Sequence, residues 1–107
     1  MTWVDVCSTD RLTPDRGAAA LVAGRQVAIF LLSSGEVFAL DNHDPFSGVN
    51  VLSRGIVGDH RGVPIVASPV YKQRFDMRTG RCVSDETVAV PVYPVRVHDG
   101  VVQVGVS

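Results

Sequence analysis

A chain of 107 residues carrying 20% charged side chains and a formal net charge of −1 exerts no general pull on nucleic acid or on an anionic membrane. At this length roughly two-thirds of the unfolded surface can be buried, so one domain over 1–107 is expected, without staples. The two cysteines, Cys7 and Cys82, are too few for a disulfide framework and point to a reducing, cytoplasmic setting, although a bond between them stays open. The longest apolar run, Val27 to Leu32, is far shorter than the roughly 18 residues that suggest a membrane span. No basic-then-apolar leader opens the sequence, so no export is expected.

Short Val- and Ile-rich runs broken by turn residues predict an all-β fold of antiparallel strands. Trp3 to Cys7 reads as the first strand, and Ser8 to Arg16, with Pro14 and Asp15, as a loop holding a short turn. Ala18 to Val22 and Gln26 to Leu32 follow as two strands. Ser34 and Gly35 mark a hairpin into Val37 to Leu40. From Asp41 to Gly62 four glycines and few apolar runs predict mostly loop around a short Ile56 to Val57 strand. From Tyr71 to Met77 the odd positions 71, 73, 75 and 77 would share the core face of one strand. Lys72, Arg74, Asp76 and Arg78 would share the other. Asp99 and Gly100 give the clearest hairpin, between strands Tyr93 to His98 and Val101 to Val106.

Two segments, DNHDPFSGVNVLSRGIVGD at 41–59 and ASPVYKQRFDMRTGRC at 67–82, resemble the two cluster-binding loops of Rieske ferredoxins and Rieske oxygenase domains. That family carries a CxH motif on its first loop and a CPxH motif on its second, followed by FDxxTGxC. The last motif survives here as Phe75, Asp76, Thr79, Gly80 and Cys82. The resemblance implies a Rieske-like iron-sulphur-domain fold with two hairpin loops. It puts Asp44 and Phe46 at the first Cys and His, and Ser68 and Tyr71 at the second pair. A Rieske centre needs two thiolates and two imidazoles, so no cluster is expected. Within the wider family, HDPFSG and SPVYKQRFDMRTGRC are similar to the small subunits of cytoplasmic NAD(P)H-dependent nitrite reductases. That implies a large-subunit partner bearing FAD, a four-iron cluster and sirohaem, which reduces nitrite to ammonium, and an accessory chain that is not catalytic alone and holds no cofactor.

Phe46 and Tyr71 read either as plugs filling the space a cluster would occupy or as part of a docking patch. A buried Tyr71 hydroxyl would need a partner, and Asp44 or loop backbone is expected to supply one. Lys72, Arg74 and Arg78 form a solvated strand face or an electrostatic contact for the partner, and His43 joins them as a candidate contact. His43, Asp44, His60 and Cys82 are the residues an unconventional electron carrier or metal protein would use. Alternatively the space between the loops would serve a small regulatory ligand. Cys7 and Cys82 otherwise read as small buried hydrophobes, His98 as a surface residue, and Asp85 with Glu86 as a solvated turn. No GxSxG, P-loop or GxGxxG pattern occurs in the sequence, which leaves hydrolysis, phosphoryl transfer and dinucleotide binding by this chain without support.

Overall fold

In a computed structural model, which describes residues 1–106, twelve strands run in chain order: β1 (Thr2–Ser8), β2 (Arg16–Val22), β3 (Arg25–Leu31), β4 (Val37–Asp41), β5 (His43–Asp44), β6 (Val49–Asn50), β7 (Ile56–His60), β8 (Val63–Ala67), β9 (Arg74–Asp76), β10 (Val92–Tyr93), β11 (Val95–His98) and β12 (Val101–Val106). Two short 3-10 turns, Thr9–Arg11 and Leu52–Arg54, complete the elements. The all-β expectation holds, and every strand pair is antiparallel.

The strands form sheets β1-β12-β11, β10-β4-β3-β2 and β7-β8-β9, with β5 and β6 as a separate two-stranded ribbon. The unbroken apolar run in β3 has a direct cause: both its faces are covered. Ala28 and Phe30 point into a core with Leu40, Leu52, Val66, Phe75 and Met77. Val27 and Ile29 point into a second core with Leu12, Val22, Val102 and Val104. Strands buried on two faces lose the polar alternation that marks a half-exposed one. Burying a side chain such as Phe75, which is fully enclosed, contributes roughly 1.5–3 kcal/mol.

Three two-residue turns, Ala23–Gly24, Arg61–Gly62 and Asp99–Gly100, have positive φ at both positions. This is the geometry that matches the twist of tight hairpins. The first and third were expected near these places; the second was not. The segment 41–62 is consequently less loop than its glycines suggest, because β7 extends to His60 and pairs with β8 over five residues. Its alternation was masked by Gly58 and Asp59, both solvent-facing on an edge strand.

Two further expectations need correction. The single strand foreseen over Tyr93 to His98 is split at Pro94. β10 pairs with β4 and β11 with β12, so the chain changes sheets there. A proline lacks the N–H that would continue one ladder. The strand foreseen over Tyr71 to Met77 begins only at Arg74. Lys72 sits at φ 63° and its amide donates to the Ser68 carbonyl at 3.1 Å, so residues 68–72 curl into a turn. Phe75 and Met77 keep the core face, whereas Tyr71 leaves it.

Candidate functional site

The two loops singled out by sequence meet at one end of the molecule. The first is held from behind by Asn42, which is 2% exposed. Its side-chain oxygen accepts from the Ser53 amide at 2.7 Å, and its amide nitrogen donates to the Asn50 carbonyl at 3.3 Å. Its own carbonyl accepts from the Leu52 amide. Sequence reasoning gave Asn42 no role. The available signal was a lone asparagine directly after an apolar strand and before a Gly-rich loop.

Asp44 and Ser68 then join the loops. Both are completely buried, and the Ser68 hydroxyl donates to one carboxylate oxygen of Asp44 at 2.5 Å. The other oxygen accepts from the Phe46 amide at 2.9 Å. Burial alone would raise the Asp44 pKa, but these donors outweigh it and hold the carboxyl below its ordinary value. Ser47 adds to that effect. Its buried hydroxyl meets no partner at full hydrogen-bond geometry, so the Ser68 hydroxyl carries more of the weight. A buried carboxylate satisfied by short bonds fixes the loops relative to one another.

Phe46 turns inward. It is half-buried and packs on the first core, its ring centroid 6.1 Å from that of Phe75. Tyr71 does not: it is 63% exposed because the turn over 68–72 swings it into solvent. The expected hydrogen bond from Tyr71 to Asp44 is replaced by the one from Ser68. Val70, next to Tyr71 in the chain, is 43% exposed, and Val49 on the first loop is 45% exposed.

The charged candidates separate. Lys72 Nζ donates to the Pro69 carbonyl at 3.2 Å, beside Tyr71. Arg74 is exposed with its guanidinium 3.5 Å from the His60 ring. Arg78 pairs with Asp76 at 3.5 Å and lines a hollow with Phe38, Val92 and Tyr93 on the β4–β10 side. His43 is exposed, its Nδ1 3.2 Å from the Asn50 side-chain oxygen within the same loop. His98 lies at the surface beside Asp99.

The donor set does not fit a two-iron cluster. The positions facing one another across the loops hold a carboxylate and a hydroxyl already bonded to each other. Both cysteines are free and neither lies at the loop junction. Cys7 is on β1, where burial pushes its thiol up against the opposing pull of Arg11. Cys82 Sγ lies 3.7 Å from the Gln73 side-chain oxygen and 3.6 Å from Ser84 Oγ. Among the described residues no group of three or more His, Cys, Asp or Glu side chains is placed to hold a metal ion. His43, Asp44, His60 and Cys82 are therefore not brought together. Nor is any helix among those residues long and apolar enough to cross a membrane.

Antiparallel sheets presenting two interlocked loops place this chain in the family of Rieske-like [2Fe-2S] domains, whose profile matches residues 2–105. Within that family it is 48% identical over 102 residues to the nitrite reductase (NADH) small subunit of Escherichia coli, covering 94% of each chain. The solution structure of the Escherichia coli protein NirD superposes with a TM-score of 0.88 at 47% identity, over 96% of this chain and 94% of that one. A nitrite reductase [NAD(P)H] large subunit from Klebsiella oxytoca contains a segment 45% identical to this chain. The match spans 96% of this chain and 11% of the large subunit.

Proposed function

We propose that this chain is the accessory, non-redox small subunit of a cytoplasmic NAD(P)H nitrite reductase and docks on the large subunit through its two loop tips. The observation that carries the reading is the 48% identity to a nitrite reductase small subunit over 94% of each chain. The Klebsiella oxytoca match adds to it, because a homologous segment lies within a large-subunit chain. Covalent continuity of that kind favours a physical association between separate chains elsewhere.

The partner supplies FAD, a four-iron cluster and sirohaem and performs the reduction of nitrite to ammonium. This chain supplies none of them and is not catalytic alone. Its contribution is a pre-shaped surface. Asp44 and Ser68 lock the loops without metal, and the locked loops hold Tyr71, Val70 and Val49 out in water. Exposed aromatic and aliphatic side chains on a rigid support lose little conformational entropy on binding and are the usual anchors of an interface. Lys72 and Arg74, on the same segment as Tyr71, add charges that guide the approach more than they add affinity, and His43 is exposed on the first loop. Phe46 and Arg78 contribute differently, the first from beneath the loop and the second from the far side.

Co-purification tests the reading. Affinity capture of the tagged chain from its own cells is expected to bring down the large subunit in a fixed ratio. Iron analysis and a visible spectrum of the chain purified alone are expected to show a colourless, iron-free protein. Stoichiometric iron with Rieske-type absorption would replace the accessory reading with electron transfer through unconventional ligands. Absence of any complex would remove the subunit reading.

A further inference from the structure

The Leu52–Arg54 turn is pressed against β2 at Gly17 and, through the adjoining Gly55, against β8. A Cβ on Gly17 would stand 2.3 Å from the Ser53 carbonyl oxygen, and one on Gly55 would stand 2.5 Å from the Ala67 carbonyl oxygen. These backbone approaches set Arg16 and Arg54, the neighbours of those glycines, on the walls of one hollow of about 360 Å³ lined by residues 16, 17, 53, 54 and 55. Both arginines are exposed, and no acidic side chain lines the hollow. Neither guanidinium takes part in the ion pairs found among the described residues.

We infer that Arg16 and Arg54 form a second docking point, a clamp for an acidic side chain of the large subunit. The inference rests on the small-subunit reading above. Two guanidiniums around one hollow without a counter-charge leave a positive spot, and each matches a carboxylate by two parallel N–H···O bonds. The floor argues for a protein carboxylate over a free phosphate. The Ser53 amide is already given to Asn42, and the Gly55 amide to the Leu52 carbonyl. The hollow therefore lacks the ring of free backbone amides that cradles a phosphate.

The test is the affinity of the purified chain for its large subunit at low and high salt, with Arg16→Glu combined with Arg54→Glu. The double variant is expected to bind at least tenfold more weakly at low salt and to lose most of the salt dependence, while melting like the parent. The neutral pair Arg16→Gln and Arg54→Gln should move both readouts the same way by less. Binding and salt dependence equal to the parent's would overturn the clamp while leaving the subunit reading intact. A parent chain that does not bind would overturn both. A chemical-shift titration of the free chain with inorganic phosphate supplies the remaining arm. Saturation at Arg16 and Arg54 below millimolar phosphate would assign the hollow to a free anion and overturn the docking proposal. The absence of a saturable shift supports it.

Discussion

Asp44 carries the largest consequence of any single side chain. Its carboxyl is fully buried, ionised and held by the Ser68 hydroxyl and the Phe46 amide. Because its folded pKa lies below its unfolded one, the bonds stabilise the fold fully above the ordinary aspartate value, about 3.9. That contribution drains away as pH falls through the ordinary value toward the lower folded one. Acid melts should therefore show the parent losing stability below about pH 4, and Asp44→Asn should flatten this part of the profile while melting lower at pH 7. Ser68→Ala, which strips one donor from a buried carboxylate, should cost about 1–3 kcal/mol by denaturant unfolding. The two aromatic rings separate just as clearly. Phe46→Ala should cost about 2 kcal/mol, below the usual range for a fully buried phenylalanine because its ring is half-covered. Tyr71→Ala should stay within about 0.5 kcal/mol of the parent. Equal losses at both positions would show that Tyr71 is packed after all.

At the scale of elements, the two loops behave as one unit because the buried Asp44 carboxylate of the first accepts from the buried Ser68 hydroxyl of the second. A double-mutant cycle on Asp44→Ala and Ser68→Ala should therefore be non-additive, with a coupling of about 1–3 kcal/mol; additive losses would mean the loops are fixed independently. Much of this architecture was legible beforehand. The hairpins at Ala23–Gly24 and Asp99–Gly100 lay where turn residues separated the foreseen strands, and the retained loop motifs marked both loops. Other features were hidden for physical reasons. β7 faces solvent along an edge, so its polar residues imitate loop. Pro94 splits two strands that share one alternation, and only the pairing partners reveal the change of sheet. Tyr71 satisfied the period-two pattern with Phe75 and Met77, yet the positive φ of Lys72 reverses the chain between them. Lysine gives no sequence signal for that conformation. The aspartate–serine lock joins positions 24 residues apart, a contact no local pattern encodes.

The whole molecule divides its labour by face. Two cores, one on either side of the sheet containing β3, supply the stability. The two joined loops present Tyr71 and Val70 to solvent, and Arg16 and Arg54 line a hollow that holds no acidic residue. Sequence composition, with its near-zero net charge, gave no hint of the Arg16–Arg54 hollow, because a sum over the chain carries no positions. Because Tyr71 is 63% exposed, Tyr71→Asp should melt like the parent yet weaken association with the large subunit at least tenfold, by placing a charge in an apolar contact. The most direct measurement is a titration of this chain into purified large subunit, following nitrite-dependent oxidation of the reduced nicotinamide nucleotide. Activity should rise and saturate at a fixed molar ratio, with Tyr71→Asp shifting the curve to higher concentration. A large subunit already fully active alone, and unaffected by the added chain, would contradict the account.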